Sequence, residues 1–536
     1  MNITPASVFE EYESAQRKKA AVGSNGISQQ SKINEKFYAS DQWYSSSGAN
    51  ERPLVRHNVI KRIGDYKMST LLGGDININF SAEGVPNTLG IIRNAAALRK
   101  KIAENAKFEF SGDTTDEEIS FVMSALNNYQ RTTAQRLGFN SLAERALKNS
   151  FTSGTGILYT YWDDTINTGL YADDFKSVPI KGDIACECLS VDNVCFADDT
   201  LEDVQKQPYI IISAQREVND VIREISKYNP SALELFDTDS TDKVTVLTKL
   251  FKVYEGDEAK VMAVRVAEGV TVRNQWDTGI RRYPISVFCW ERRQNSAYGD
   301  SEITYLIPNQ IAINRMITAR VWSVLSGGMP TMVVNGDVID GEITNDPGQI
   351  IKVFGSNEDV MNAIHYVSPP DSSDAYSGII EPLINNTLSN SGANAAALGD
   401  VNPDNTSAII QLRNAAKLPL ALMKNRYYDF LEETARIWAE FWVCAYGNRR
   451  IKISDNNGTW YMNFKSERYK NLIINTSVQA TADDGDYSDT LAVLDKLLDK
   501  GIITARQYIS RLPKGVMPDA YQLLNELKEE NGNDGQ

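Results

Sequence analysis

The sequence predicts an α+β chain, mostly helical with small β-rich modules, and three observations predict it. Long stretches around 114–149, 301–328 and 406–446 repeat apolar residues at threes and fours, the period of a helix with one buried face. Short runs such as "DININF", "PYIIISA" and "VTVLTKLFKVYEG" alternate instead, as half-buried strands do. The two kinds are grouped along the chain rather than strictly interleaved, which argues for α+β over a parallel α/β sheet.

The elements follow in order. Residues 5–40 read as helical and polar, an N-terminal arm (1–34) with few core contacts of its own. A mixed helix within "RPLVRHNVIKRIGDYKMSTLL" ends at Gly73-Gly74, suited to a left-handed cap. The helical stretch 114–149 breaks near Gly138 and stops before the strand "SGTGILYTYW". Short strands and turns fill 183–290, interrupted by the helix "REVNDVIREISKY". In "GDSEITYLIPNQIAINRMITARVWSVLSGG", Ile303, Ile307, Ile313, Ile317, Val321 and Val324 trace one stripe. Asp300 or Ser301 can cap that helix, and Pro308 either kinks it or marks its first turn. "TMVVNGDVIDGEI" is shaped like a hairpin around Asn335-Gly336. A short helix, "DAYSGIIEPLINNTLSN", precedes the small-residue stretch "SNSGANAAALGDVNPDNTSA". A long helix then runs to Tyr446, and Pro419 inside it predicts a kink near Ala415. "ISDNNGTWYMNF" reads as a hairpin, followed by helices at 486–500, 504–512 and 518–530 and a disordered tail.

Composition narrows function. The 536 residues suffice for several cores, and no run of eighteen apolar residues predicts a membrane span. The N-terminus lacks the apolar core of a secretory signal. Five scattered thiols, Cys186, Cys188, Cys195, Cys289 and Cys444, suit a reducing compartment. A net charge of −15 opposes tight binding to nucleic-acid phosphates. Between Arg320 and Arg413 only Lys352 is basic, against eleven acids in those 92 residues. One reading is an acidic surface insertion; the other is a segment lining a passage that a polyanion crosses without sticking.

Catalytic readings lack their parts. The Gly154-Thr155-Gly156 run has no following Lys-Ser/Thr pair and leads into a strand, whereas a phosphate loop needs a helix N-terminus. "CECLSVDNVC" has neither zinc-ligand spacing nor a nearby histidine. Only His57 and His365 are present. Asp198, Asp199, Glu202 and Asp203 cluster in "FADDTLED", as a solvated turn does more often than an ion site. The expectation is therefore no enzyme and no cofactor or metal.

Taken with "FYASDQWY", "YPISVFCWERRQNSAYGDSEITYLIPNQIAINRMITARV" and "NTSAIIQLRNAA", this order of parts resembles the portal (head-to-tail connector) proteins of tailed double-stranded DNA bacteriophages, over about 35–530. The resemblance implies a portal-like fold in a ring. Its parts would be a wing at 35–300, a first stem helix at 301–328 and a clip at 329–371. A second stem helix at 372–390 and a tunnel loop at 391–406 would follow. The long kinked helix at 407–446, a return to the wing at 447–482 and a crown at 483–536 would complete it. It implies a homo-oligomer, typically of twelve subunits, at one capsid vertex of a virion assembled in the host cytoplasm. Double-stranded DNA would pass without specific binding during packaging and ejection. The terminase large subunit, then a tail adaptor, would dock on it, beside major capsid and scaffolding proteins.

On this reading Asn394, Ala396, Leu398, Asp400, Asn402 and Asn405 face the channel, and Pro419 bends the helix behind them. Asp337, Asp340, Glu342 and Asp346 form the clip's docking surface. The base-poor stretch then has a physical reason: a ring repeats each side chain into a circle, and any Lys or Arg there would bind phosphates. Another viral structural assembly protein and a metal-dependent nuclease are the alternatives.

Overall fold

A computed structural model describes residues 3–21, 26–43, 54–73, 76–82, 116–171, 179–236, 243–256, 258–328, 331–335, 337–340, 350, 352–367, 373–393, 398, 417–455, 458–465, 469, 474–480, 487–504, 508–509 and 512. The fold is mixed α+β, with several small antiparallel sheets. The chain divides into two compact units: one of 1–32, 67–302 and 405–536, the other of 33–66 and 303–404.

In the first unit the helix Ala421–Ala445 is the central element. From Thr434 to Val443 it buries residues on nearly every side, including Trp438 and Trp442. That is broader than one apolar stripe because several partners surround it: the strands Ile285–Cys289 and Thr155–Tyr171, and Ile474–Ala480, which pairs with Ile76–Ala82. Aromatic rings fill the gaps edge-on, with Phe139 at 4.8 Å from Trp438 and Phe80 at 5.2 Å from Trp442. Gly138, at φ 60°, separates the helices Asp116–Leu137 and Phe139–Ser153, as its sequence position predicts.

A five-stranded antiparallel sheet runs through Val194–Phe196, Tyr209–Glu217, Lys243–Glu255, Glu258–Ala267 and Val270–Asp277. The helix Val218–Tyr228 packs on it through Val218, Val221 and Ile225. Against expectation, the first helix, Pro5–Ala21, is no arm with few core contacts. Val8 and Ala15 are buried with Ile211, Leu247 and Val264 of the sheet. Lys19 is buried too, its Nζ donating to the carbonyls of Val191 and Val194 at 2.6 Å each, and that burial lowers its pKa. A charged, polar-looking sequence therefore hides a docking face.

The second unit is built on the helix Glu302–Gly328, whose first residue belongs to the first unit. Gln310, Asn314 and Thr318 stand four residues apart on one line of this helix. Gln310 Oε1 accepts from the backbone N–H of Val59 at 2.9 Å, Asn314 Oδ1 from His57 at 3.0 Å and Thr318 Oγ1 from Val55 at 3.1 Å. Gln310 Nε2 donates to the His57 carbonyl at 2.7 Å, and Asn314 Nδ2 to Gln42 Oε1 at 2.7 Å. Segment 55–59 thus finds its backbone partners on a ladder of buried and half-buried side chains, satisfying groups that no sheet serves. The helix Ser373–Asn390 is tied to the same scaffold by Asn309 Nδ2, which donates to Thr387 Oγ1 at 3.3 Å.

Candidate channel and docking surfaces

The stripe predicted on Glu302–Gly328 is buried only at its beginning. Ile303 and Ile313 are in the core, but Ile307, Ile317 and Val321 are only partly covered, and Val324 is 55% exposed. Leu325 beside it is 44% exposed. Pro308 lies inside the helix rather than at its first turn. Ser301 Oγ donates to the Phe151 carbonyl, and Asp300 accepts from Arg293.

The β-rich module differs from the hairpin expected at 331–343. Thr331–Val334 pairs antiparallel with Ile364–Val367, not with Ile339–Asp340, which pairs with Lys352–Val353. A turn does form at Asn335, whose side chain accepts from Asp337 N–H at 3.1 Å and whose carbonyl accepts from Val338. The chain leaving that turn joins a different strand, because the Asn335 N–H is taken by the Ala363 carbonyl. Each sheet has two strands, and two-stranded sheets are marginal by themselves. Apolar side chains remain uncovered around them: Ile350 at 89%, Met361 at 83% and Phe354 at 63% exposure.

Of the predicted docking acids, Asp337 is exposed in the turn and Asp340 lies on the short strand opposite Lys352. Glu342 and Asp346 lie outside the described residues. The helix Ser373–Asn390 is stopped by Gly392, which takes φ 81° and donates its N–H to the Ser389 carbonyl, a glycine stop of the usual left-handed kind. Beyond it, Leu398 sits in a turn, partly buried, while Asn394, Ala396, Asp400, Asn402 and Asn405 lie outside the described residues. Pro419 occupies a 3₁₀ turn, Leu418–Leu420, that leads into Ala421–Ala445. Lys417 before it is helical as well, so the proline sits where helical backbone tightens to a 3₁₀ turn rather than at a helix start. Ala415, where the bend was expected, is outside the described residues.

The other residues weighed for chemistry are engaged locally. Gly156 brings two backbones together: a Cβ there would stand 2.1 Å from the Ala146 carbonyl oxygen. Gly154, at φ 85°, faces Gly299 in the same way, with 2.2 Å to that carbonyl oxygen. The glycine pair thus serves helix-to-strand packing. Asp198 accepts from the N–H and hydroxyl of Thr200, which lower its pKa, and Asp203 caps a 3₁₀ turn at Gln205. Glu202 accepts from Asn295, and burial raises the pKa of Asp199. Burial pushes the Cys186 thiol up to about 12 and Cys188 to about 11, far from the thiolate a ligand or nucleophile needs. His365 is exposed on its strand, opposite Val333. Among the described residues no helix is long and apolar enough to cross a membrane.

No protein-family model and no curated protein matches this sequence. Among solved structures, the chain is similar to one in the neck of a native GTA particle, computed with C12 symmetry. The TM-score is 0.33 at 8% identity, over 86% of this chain and 91% of that one, a likeness too distant to carry an argument.

Proposed function

We propose that this chain is a portal-type subunit of a phage-like particle, assembling into a ring through which double-stranded DNA is packaged and ejected. The observation that carries the reading is the exposed apolar surface of the second unit. A helix whose stripe runs out of partners at Val324 and Leu325, beside two-stranded sheets ringed by Ile350, Phe354 and Met361, is stable when neighbouring copies cover it. The scarcity of bases between Arg320 and Arg413, with Lys352 alone, supports the same reading, since the segment that would meet DNA offers it almost no cation. The chain has no catalytic role of its own; a separate terminase drives packaging and docks on the β-rich module, with a tail adaptor replacing it later. Native mass spectrometry of the purified chain tests the assembly: a large closed ring is expected, and monomers at every protein and salt concentration would sink the proposal. ATP hydrolysis by the pure chain would count equally against it.

The passage itself has a separate test. Changing Asn394→Lys and Asn402→Lys together places rings of positive charge in the loop. Every phosphate that a new lysine binds should steepen the log–log salt dependence of DNA attachment by ~0.9. Packaging by reconstituted heads should stall at low salt and recover at high salt, with ring assembly unchanged. Equal rates for variant and parent at every ionic strength would remove this loop from the DNA path.

A further inference from the structure

On the edge strand Val270–Asp277 of the five-stranded sheet, Arg273 is clamped between two aromatic rings. Its guanidinium carbon lies 3.9 Å from the Trp276 ring centre and 4.1 Å from that of Tyr228. The cations around it are committed. Arg216 and Arg265 both bind Glu224 at 2.5 Å, Arg223 binds Asp220 at 3.3 Å and Lys227 binds Asp164 at 2.5 Å. Arg273 differs: among the described residues its close contacts are the two rings, it makes no hydrogen bond or ion pair, and the carboxylates of Glu224 and Asp164 act on it only through space. A guanidinium carries five donors in a fixed fork, so this half-buried one is held in orientation with donors left for a further acceptor. Burial lowers its pKa first of all, with Tyr228, Glu224 and Asp164 acting the other way.

We propose that the Tyr228–Arg273–Trp276 clamp receives a carboxylate from a second copy of this chain. The proposal rests on the assembly reading above. Carboxylates are what a copy has to offer: the chain carries fifteen excess negative charges. Copies so charged repel, and a contact between them needs a place where an acid meets an uncommitted base. A ring interface also joins two different patches, one receiving and one inserted. Trp, Tyr and Arg are the residue types that dominate interface energetics, and stacking prepays the ordering of the arginine. A nucleic-acid backbone fits less well, because it needs several free cations in a row and here the neighbouring ones are already paired.

Sedimentation velocity on the full chain, over a range of protein concentration, tests this with Arg273→Ala and Arg273→Lys beside the parent. The alanine variant should need roughly tenfold or more protein for half-assembly. Lysine should recover only part of that loss, since it keeps the charge without the planar fork. Thermal melting of each variant shows whether the fold is intact. If alanine unfolds the sheet, the lysine variant decides: assembly at the parent's concentration would overturn the clamp. If the parent forms rings and the alanine variant does so equally well, this inference falls while the assembly reading stands. A parent that stays monomeric removes both. Titration with a single-stranded oligothymidylate completes the test: binding lost with Arg273 would reassign the clamp to nucleic acid and overturn the proposal.

Discussion

Trp442→Ala should destabilise the first unit by about 3–5 kcal/mol, the range for emptying a buried aromatic site. Trp442 is fully buried at the centre of that unit. Its ring meets Phe80 edge-on at 5.2 Å and Tyr129 at 6.3 Å, so it joins a strand and a second helix to Ala421–Ala445. Those neighbours are fixed by their own packing and cannot collapse into the space, which is why the upper part of the range is expected. Trp442→Phe makes the contrast. Among the described residues the indole N–H has no hydrogen-bond partner, so phenylalanine removes a buried orphan donor while keeping a ring in place. That variant should lose less than half of what alanine loses. Urea denaturation followed by circular dichroism measures both, and equal losses would mean that the ring contacts are not what holds the helix.

What could be read in advance was local. The helix over 302–328, the break at Gly138 and the strand after Gly154 follow from periodicity and from glycine, which act over a few residues. The turn at Asn335 was legible for the same reason, yet the partner of strand Thr331–Val334 was not. Pairing with Ile364–Val367 reaches across the whole of 335–363, and a turn signal carries no information about it. The first helix looks like surface in the sequence because Lys19 reads as solvated; its carbonyl partners at Val191 and Val194 show why a lysine can be buried there. The Gln310, Asn314 and Thr318 ladder was invisible for a similar reason. Amides on a helix look solvated until the segment they satisfy is known. For the candidate surfaces, the base-poor stretch was plain in the sequence, but the failure of the 303–324 stripe to stay buried needed the structure. Periodicity says that a face wants covering and does not say by what.

The largest electrostatic effect is expected at the head of the helix Glu302–Gly328, where Lys67 and Glu302 form a buried ion pair at 2.6 Å. The other carboxylate oxygen of Glu302 accepts from the Trp290 indole N–H at 3.0 Å. The site is crowded with like charge as well. Burial first, and Glu302 second, raise the pKa of neighbouring Glu291. Lys67→Met would leave Glu302 buried with one neutral donor and a second carboxyl close by, and should cost about 3–5 kcal/mol. Glu302→Gln would strand the lysine instead, at a comparable cost, although the amide oxygen can still accept from Trp290. The double variant should be more stable than the sum of the two losses implies, because no uncompensated charge remains and the methionine fills the lysine stem's volume. A double-mutant cycle from denaturation midpoints measures that coupling. Strict additivity would show that the two charges are each solvated independently. Strong coupling would instead make the pair a device for direction: it stabilises little against an apolar replacement, yet it penalises any arrangement in which Glu302 starts its helix away from Lys67.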